Sequence, residues 1–353
     1  MTVLHPSEDR FHNLQERGSY EWTYFDGLSE DGEHAFTAIW FRGIPMSPYY
    51  TAAIDAETKD ASPGRYCAFA FGLYRNGRRI ASGLEEGPED LFFGDGDSPD
   101  AKFMANTLHS AQHPNGTTAF HIAVDVRRPL LAGRILGQIE LKFPVHDAPD
   151  GAEAYQAGPG KHFWVPAAPN GSFSAALDLV GTGRSSQKIR FDGRAYHDRN
   201  LGTEPLHTVD VDWYWGRVHF DSRAFVFFDV RSRTEKQGSG LAPFQHVLLY
   251  ENGTLIDQME GLQCVADGWR NHWATLPYPG TIRSQNNAST GFAARTNGQF
   301  DSGPFYHRMA AQFSINSNGS AIQAPGMTEY MRPSRLGVAA FRPFVKFRVH
   351  RIG

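Results

Sequence analysis

The segment Glu21-Trp22-Thr23-Tyr24, followed by Ala35-Phe36, recurs later in the chain as Asp212-Trp213-Tyr214-Trp215, followed by Ala224-Phe225. A second pair keeps the order: Leu73-Tyr74-Arg75-Asn76-Gly77 returns as Leu249-Tyr250-Glu251-Asn252-Gly253. Asn-Gly between apolar runs is the strongest short-range hairpin signal, so two ordered recurrences predict two copies of one β unit. Chance likeness between unrelated strand-turn-strand segments is the competing account.

The rest of the chain reads in the same style. Residues 20–24 and 35–41 predict a hairpin around Asp26-Gly27 and Asp31-Gly32, and residues 66–74 and 79–84 predict another around Asn76-Gly77. Further strands are expected at 119–126, 137–143, 161–165, 172–179, 209–215, 224–230, 246–251 and 254–259. Residues 45–63, 88–106 and 181–187 read as loops, and 144–160 as a linker. Only 100–109 and 130–136 offer short helical patterns, and the basic stretch 342–351 alternates like a closing strand with one solvated face. The expected fold is mainly β: two antiparallel β-barrel domains, residues 1–185 and 186–353, each closed or nearly closed so that few edge strands remain.

Composition narrows the function. A length of 353 residues suits two domains with cores of their own, and a net charge of −4 gives no bias toward nucleic acid. Cys67 and Cys264 stand alone, in no metal-ligand spacing, which argues against a disulfide framework or a cysteine zinc site and for a reducing compartment. The polar start lacks the pattern of a signal peptide and no apolar run has membrane length, so a cytoplasmic location is expected. Aromatic residues reach 13%, more than a minimal core requires, so some are free to wall a cavity.

The densest chemistry lies in residues 191–206, FDGRAYHDRNLGTEPL. Tyr196, His197, Asp198, Arg199 and Asn200 follow one another between Gly193 and Gly202. In an extended segment Tyr196, Asp198 and Asn200 share one face while His197 and Arg199 take the other, so a phenol, a carboxyl and an amide can enter one cavity. The alternative is a polar turn with a surface Asp–Arg pair. Trp22, Tyr24, Trp40, Trp164, Trp213, Trp215, Trp269 and Trp273 belong either to the core or, in part, to a pocket for a long apolar ligand. A carboxyl such as Asp198, desolvated among such rings, would stay protonated near neutrality and act as an acid.

Other chemistries find no support. There is no nucleophile elbow, and Gly181-Thr182-Gly183-Arg184 lacks the lysine of a phosphate loop. His109 and His113 are four apart but have no carboxylate to complete a zinc motif, so no metal is expected.

Taken together, Gly18-Ser19-Tyr20-Glu21-Trp22-Thr23-Tyr24-Phe25-Asp26-Gly27-Leu28, Ser47-Pro48-Tyr49-Tyr50, His162-Phe163-Trp164-Val165-Pro166 with Pro169, the 193–202 motif, Pro304-Phe305-Tyr306 and Gly326-Met327-Thr328-Glu329-Tyr330 resemble the carotenoid 1,2-hydratases, over nearly the whole chain. The resemblance implies two tandem lipocalin-like barrels and acid-initiated addition of water to an isoprenoid double bond, without cofactor. It implies Asp198 as proton donor, with Tyr196 and Trp164 shaping the pocket and stabilising a tertiary cation. His197 and Asn200 are candidates, by adjacency, for positioning water or the carboxyl. Trp22, Tyr24, Trp213, Trp215 and Tyr50 are the candidate substrate walls. The chain departs from the family in Thr23, which follows Trp22 where a second tryptophan is usual, and in the basic His197 and Arg199. The same scaffold is similar to that of fungal polyketide Diels–Alderases, so the alternatives are a natural-product cyclase that folds a polyene by shape and a non-catalytic lipophilic carrier. The expected partner is an apolar small molecule, isoprenoid or polyene, with peripheral membrane contact if it is a carotenoid.

Overall fold

The structure is a computed structural model that describes residues 1–128, 133–156, 162–181, 186–232, 244–271, 275–285, 290–317 and 320–352. Its strands join one 22-stranded sheet among the described residues. In the first half the main strands are β1 (Tyr20–Leu28), β2 (His34–Arg42), β3 (Cys67–Arg75), β4 (Arg78–Gly87), β5 (Thr117–Arg127), β6 (Gly133–Pro144), β7 (His162–Gly181) and β8 (Ser186–Gly202). In the second half they are β9 (Asp210–Phe220), β10 (Arg223–Ser232), β11 (Phe244–Glu251), β12 (Thr254–Glu260), β13 (Thr290–Ser302), β14 (Tyr306–Ser317) and β15 (Ser320–Met331).

Each half follows one rule: its last long strand returns to pair with its first. β8 pairs antiparallel with β1 from Arg194↔Leu28 to Gly202↔Tyr20, and β15 pairs antiparallel with β9 from Trp213↔Met331 to Val218↔Gly326. The expected mainly β, tandem lipocalin-like class is what the chain adopts, although no hydrogen-bonded ladder joins β4 to β5 among the described residues and the sheet stays open. The expected boundary at 185/186 falls between β7 and β8. These two strands pair from His162↔Gly202 to Val180↔Ser186, so the pairing groups β8 with the first half.

The repeated hairpins match in detail. Between β3 and β4 the register slips at Leu73/Tyr74, and between β11 and β12 it slips at Leu249/Tyr250. The turns also match, with Asn76 and Gly77 at φ of 50° and 68° and Asn252 and Gly253 at 51° and 91°. Positive φ at both positions is what a two-residue hairpin turn of this hand demands, and Asn-Gly adopts it at little cost.

Burial explains why the strands carry apolar residues on both faces. Along β2, Phe36, Ala38 and Trp40 fill the interior of the first half with Phe25, Phe69, Phe71 and Leu73. The second half has its own interior around Tyr214, Val218, Phe225, Phe227, Val247 and Phe313. A third cluster, with Tyr20, Tyr24, Trp164, Tyr196, Trp213, Trp215, Val226, Phe228 and Met327, draws on both halves and lies between them. The candidate site belongs to this third cluster.

Several expectations are corrected. Residues 100–109 form strands (Ala101–Phe103 and Asn106–Gln112), because Ala101 and Leu108 pair and bury on one face. The described part of 130–136 is strand too, within β6. The helix lies instead where a loop was expected, at α1 (Pro48–Asp55), whose N-cap Ser47 accepts from the backbone of Tyr49 and Tyr50 and whose first position suits proline. The stretch 342–351 is mostly short helical turns with Phe344 and Phe347 exposed, and only His350–Arg351 pairs, parallel to β4. Pro343 explains this, since it starts a helical turn and cannot donate to a ladder. Residues 157–161 and 182–185 and Trp273 lie outside the described residues.

Candidate functional site

Alternation along β8 puts Tyr196, Asp198 and Asn200 on the face toward the second half and turns His197 and Arg199 away, as the extended pattern predicts. Asp198 pairs with Tyr24 and Asn200 with Trp22 across to β1. Trp164 arrives from β7, opposite Asn200. Just beyond it β7 slips register twice, between Val165 and Ala168 and again before Gly171. Pro166 and Pro169 lie in these gaps, and a residue without an N–H interrupts the ladder there.

These elements converge on one carboxyl. Asp198 Oδ2 accepts from Trp164 Nε1 at 2.9 Å and from the Tyr196 hydroxyl at 2.8 Å, while Oδ1 has only the Asn200 amide nitrogen, at 3.4 Å. The Asn200 oxygen faces His162 Nε2 at 3.2 Å, which fixes which way the amide points. Burial pushes the Asp198 carboxyl up to about 8; the Trp164 and Tyr196 hydrogen bonds oppose this, and the nearby Glu329 and Asp26 add to it. With Oδ2 already accepting twice, Oδ1 is the oxygen left free to carry a proton. At neutral pH this is a carboxylic acid.

The acid faces a cavity lined by Trp22, Tyr24, Asn200, Trp213, Trp215, Phe228 and Glu329. Tyr24 and Trp215 meet edge to face at 5.8 Å, and Tyr196 and Trp215 at 5.1 Å. The free volume is about 30 Å³. A water needs roughly 10–15 Å³, so there is room for about two or three waters and not for a polyene. Asp198, Trp22, Tyr24, Trp213 and Trp215 thus come together around one small cavity.

Glu329, which the motif reading quotes without assigning a role, is a second carboxyl in this wall. It pairs across strands with Trp215, as Asp198 pairs with Tyr24, so the two carboxyls hold corresponding places in the two halves. Burial raises its pKa against the pull of Arg308, whose Nε donates to Oε1 at 2.9 Å, and of Tyr306, whose hydroxyl donates to the same oxygen. Phe228 and Arg308 also escaped the sequence reading. The signal that finds Glu329 is the repeat itself, extended from the first strand of each half to the last.

Two candidates lie elsewhere. His197 stacks on Phe25 at 3.9 Å, and its ring nitrogens face Tyr24 O at 2.9 Å and Asp9 Oδ2 at 2.8 Å, on the far side of β8 from Asp198. A one-residue step along a strand reverses the side chain, so adjacency in sequence separates it from the acid. Tyr50 sits on α1, donates its hydroxyl to Ser19 O at 2.8 Å and stacks on Tyr66 at 4.7 Å, so it supports the helix and does not line the cavity. Of the remaining tryptophans, Trp40 packs inside the first half and Trp269 is exposed. Among the described residues no cluster of His, Cys, Asp or Glu could hold a metal, and no helix is long and apolar enough to cross a membrane.

The sequence profile of the family described as "Carotenoid hydratase CrtC" matches residues 38–352. The chain is 26% identical over 361 aligned positions to the hydroxyneurosporene dehydrogenase of Chlorobaculum tepidum, covering 98% of this chain and 91% of that relative. It is 29% identical over 233 positions to the acyclic carotenoid 1,2-hydratase of Rubrivivax gelatinosus, covering 64% of this chain and 52% of that relative. Among solved structures, CghA with Sch210972 superposes with a TM-score of 0.60 at 12% identity over 90% of this chain and 89% of the other. Kievitone hydratase from Nectria haematococca gives 0.51 at 11% over 94% and 96%. At such identities the structural likeness shows the fold.

Proposed function

Because the chain belongs to the carotenoid hydratase CrtC family, a family of hydratase-type enzymes, we propose that it adds water to a terminal double bond of an acyclic isoprenoid by acid catalysis. The observation that carries this reading is a buried carboxyl, Asp198, held protonated to about pH 8 against an aromatic wall.

Asp198 Oδ1–H gives its proton to the less substituted alkene carbon, and the π electrons form the new C–H bond. The tertiary cation left behind faces the rings of Trp22, Tyr24, Trp213 and Trp215, whose negative faces stabilise it. The Trp213 indole N–H, buried with no partner among the described residues, is a donor available to hold a water. That water's oxygen forms the C–O bond, and its surplus proton passes to Glu329, which Arg308 and Tyr306 hold in place. Return of the proton from Glu329 to Asp198 through water resets the site. Trp164 and Tyr196 keep Oδ2 occupied so that the proton stays on Oδ1. The cavity has the size of the water it must hold, so the isoprenoid end enters as wall side chains turn aside.

Incubation of purified protein with acyclic isoprenoids in deuterated water tests the reading. Water addition with one carbon-bound deuterium supports it. An isomer with no carbon-bound deuterium points to cyclisation by shape, loss of two hydrogens points to the chemistry named for the Chlorobaculum relative, and recovery of unchanged ligand points to a carrier.

A further inference from the structure

A second, larger cavity of about 390 Å³ lies apart from the Asp198 site. Its floor comes from the outer face of the first half: Thr37 and Ile39 of β2 and Ala70, Gly72 and Tyr74 of β3 point away from Phe36, Ala38, Trp40, Phe69 and Leu73, which fill the interior. Its roof is Asp301 and Arg308 of the second half, with Phe347 and Arg348 of the short helical turns beyond β15. It is therefore a cavity between the halves and not the inside of a barrel.

The lining divides by chemistry. Ile39, Ala70, Ile80, Leu84 and Phe347 supply an apolar floor and wall, while Arg79, Arg128 and Arg348 add three cations. The carboxylate in this lining, Asp301, accepts from Tyr74 at 2.6 Å and from Arg308 at 3.1 Å and pairs with Arg79 at 3.2 Å, so the positive charge left over belongs to Arg128 and Arg348. Arg308 is itself matched by Glu329. Arg128 meets no acidic partner among the described residues, and Arg348 donates to the neutral Ser302 carbonyl at 2.7 Å. Burial and then the charge of Arg79 push the Arg348 guanidinium below its ordinary range. Like charges held side by side over an apolar floor, in a volume typical of ligand pockets, call for an anion with an apolar body.

We propose that this cavity is a binding site for a single-chain amphiphile with an anionic head, its chain on Ile39, Ala70 and Leu84 and its carboxylate or phosphate between Arg79, Arg128 and Arg348. The site is distinct from the hydration centre and does not depend on the hydratase reading.

The test is calorimetric titration of the full-length protein with laurate, dodecyl phosphate, dodecanol and inorganic phosphate. Laurate or dodecyl phosphate should bind at least tenfold more tightly than dodecanol and than inorganic phosphate, and the tighter of the two identifies the head group. Arg79→Gln and Arg348→Gln should each lower the laurate-to-dodecanol affinity ratio by about tenfold. The ratio is read in one preparation, so loss of folded protein cancels. Ala70→Leu should weaken both chains, and Asp198→Asn should leave laurate affinity unchanged. Equal binding of laurate and dodecanol, an unchanged ratio in both arginine variants, or loss of laurate binding in Asp198→Asn overturns the proposal.

Discussion

Asp26 and Arg217 hold the same place in the two copies of the repeated β unit, 191 residues apart, and form a buried ion pair with each other. Tyr24 and Trp215 stand in the same relation and also touch. The two halves therefore meet through equivalent strands, much as two subunits meet across a twofold axis. The pair also orients the site, since Asp26 Oδ2 accepts from the Tyr24 hydroxyl at 2.8 Å and Arg217 Nη1 donates to His219 Nδ1 at 2.9 Å.

Breaking that pair should be costly. Arg217→Met leaves the Asp26 carboxylate buried without its cation, and a loss of about 3–5 kcal/mol is expected. The double variant Asp26→Leu/Arg217→Met should recover part of that loss. Urea denaturation of the single and double variants measures both.

The acid role proposed for Asp198 predicts a pH limit on turnover. Asp198→Asn should lower the hydration rate by roughly 10²–10⁴-fold, the usual worth of a general acid. In the unsubstituted protein the rate should fall about tenfold per pH unit above about 8. Stability should change with pH in the same sense. The folded-state pKa lies above the ordinary 3.8, so the contribution is fully present below about 4 and is lost as pH rises through about 8. Thermal unfolding of both proteins across this range checks it, and the Asn variant should lack that slope.

Trp164→Phe and Tyr196→Phe each remove a donor to Asp198 Oδ2. Because those bonds lower the carboxyl's pKa against the larger effect of burial, losing one should move the alkaline limb of the pH–rate profile upward. The maximal rate should fall at the same time, as the proton is no longer confined to Oδ1. Tyr50→Phe, by contrast, should leave the profile unchanged and cost only about 1 kcal/mol of stability.

On the opposite face of β8, Asp9 should govern acid stability. Burial alone would raise its pKa, but His197 at 2.8 Å and Arg199 at 3.1 Å outweigh it and hold the carboxyl down at about 2. A depressed acid stabilises above its unfolded value, so this contribution is lost as pH falls from about 4 through about 2. Asp9→Asn should flatten that acid limb and, by leaving the buried Arg199 without its counter-ion, destabilise the protein at neutral pH. The Asp198-dependent alkaline limb should stay where it is.

Much of the site was legible in advance. A strand period of two is enough to put Tyr196, Asp198 and Asn200 together, and the recurrence of Trp22-Thr23-Tyr24 as Trp213-Tyr214-Trp215 is enough to expect a second aromatic wall. The same period separates His197 from Asp198, since neighbours along a strand face opposite sides. Tyr50 lies away from the cavity because Ser47-Pro48 is a helix start and carries it on α1. The stretch 342–351 alternates like a strand, yet Pro343 at its head favours a helical turn.

Local chemistry determined the hairpins, their Asn-Gly turns, the repeat and the face that Asp198 occupies, because turn conformation and side-chain alternation are set by neighbours in the chain. Tertiary structure decided which face of the second copy comes opposite. That choice brings Glu329, Phe228 and Arg308 to Asp198, leaves a cavity of about 30 Å³ there and forms another of about 390 Å³ apart from it. It also decides the chemistry of the carboxyl: the chain supplies an aspartate, and only removal from water by residues distant in sequence keeps it an acid at neutral pH.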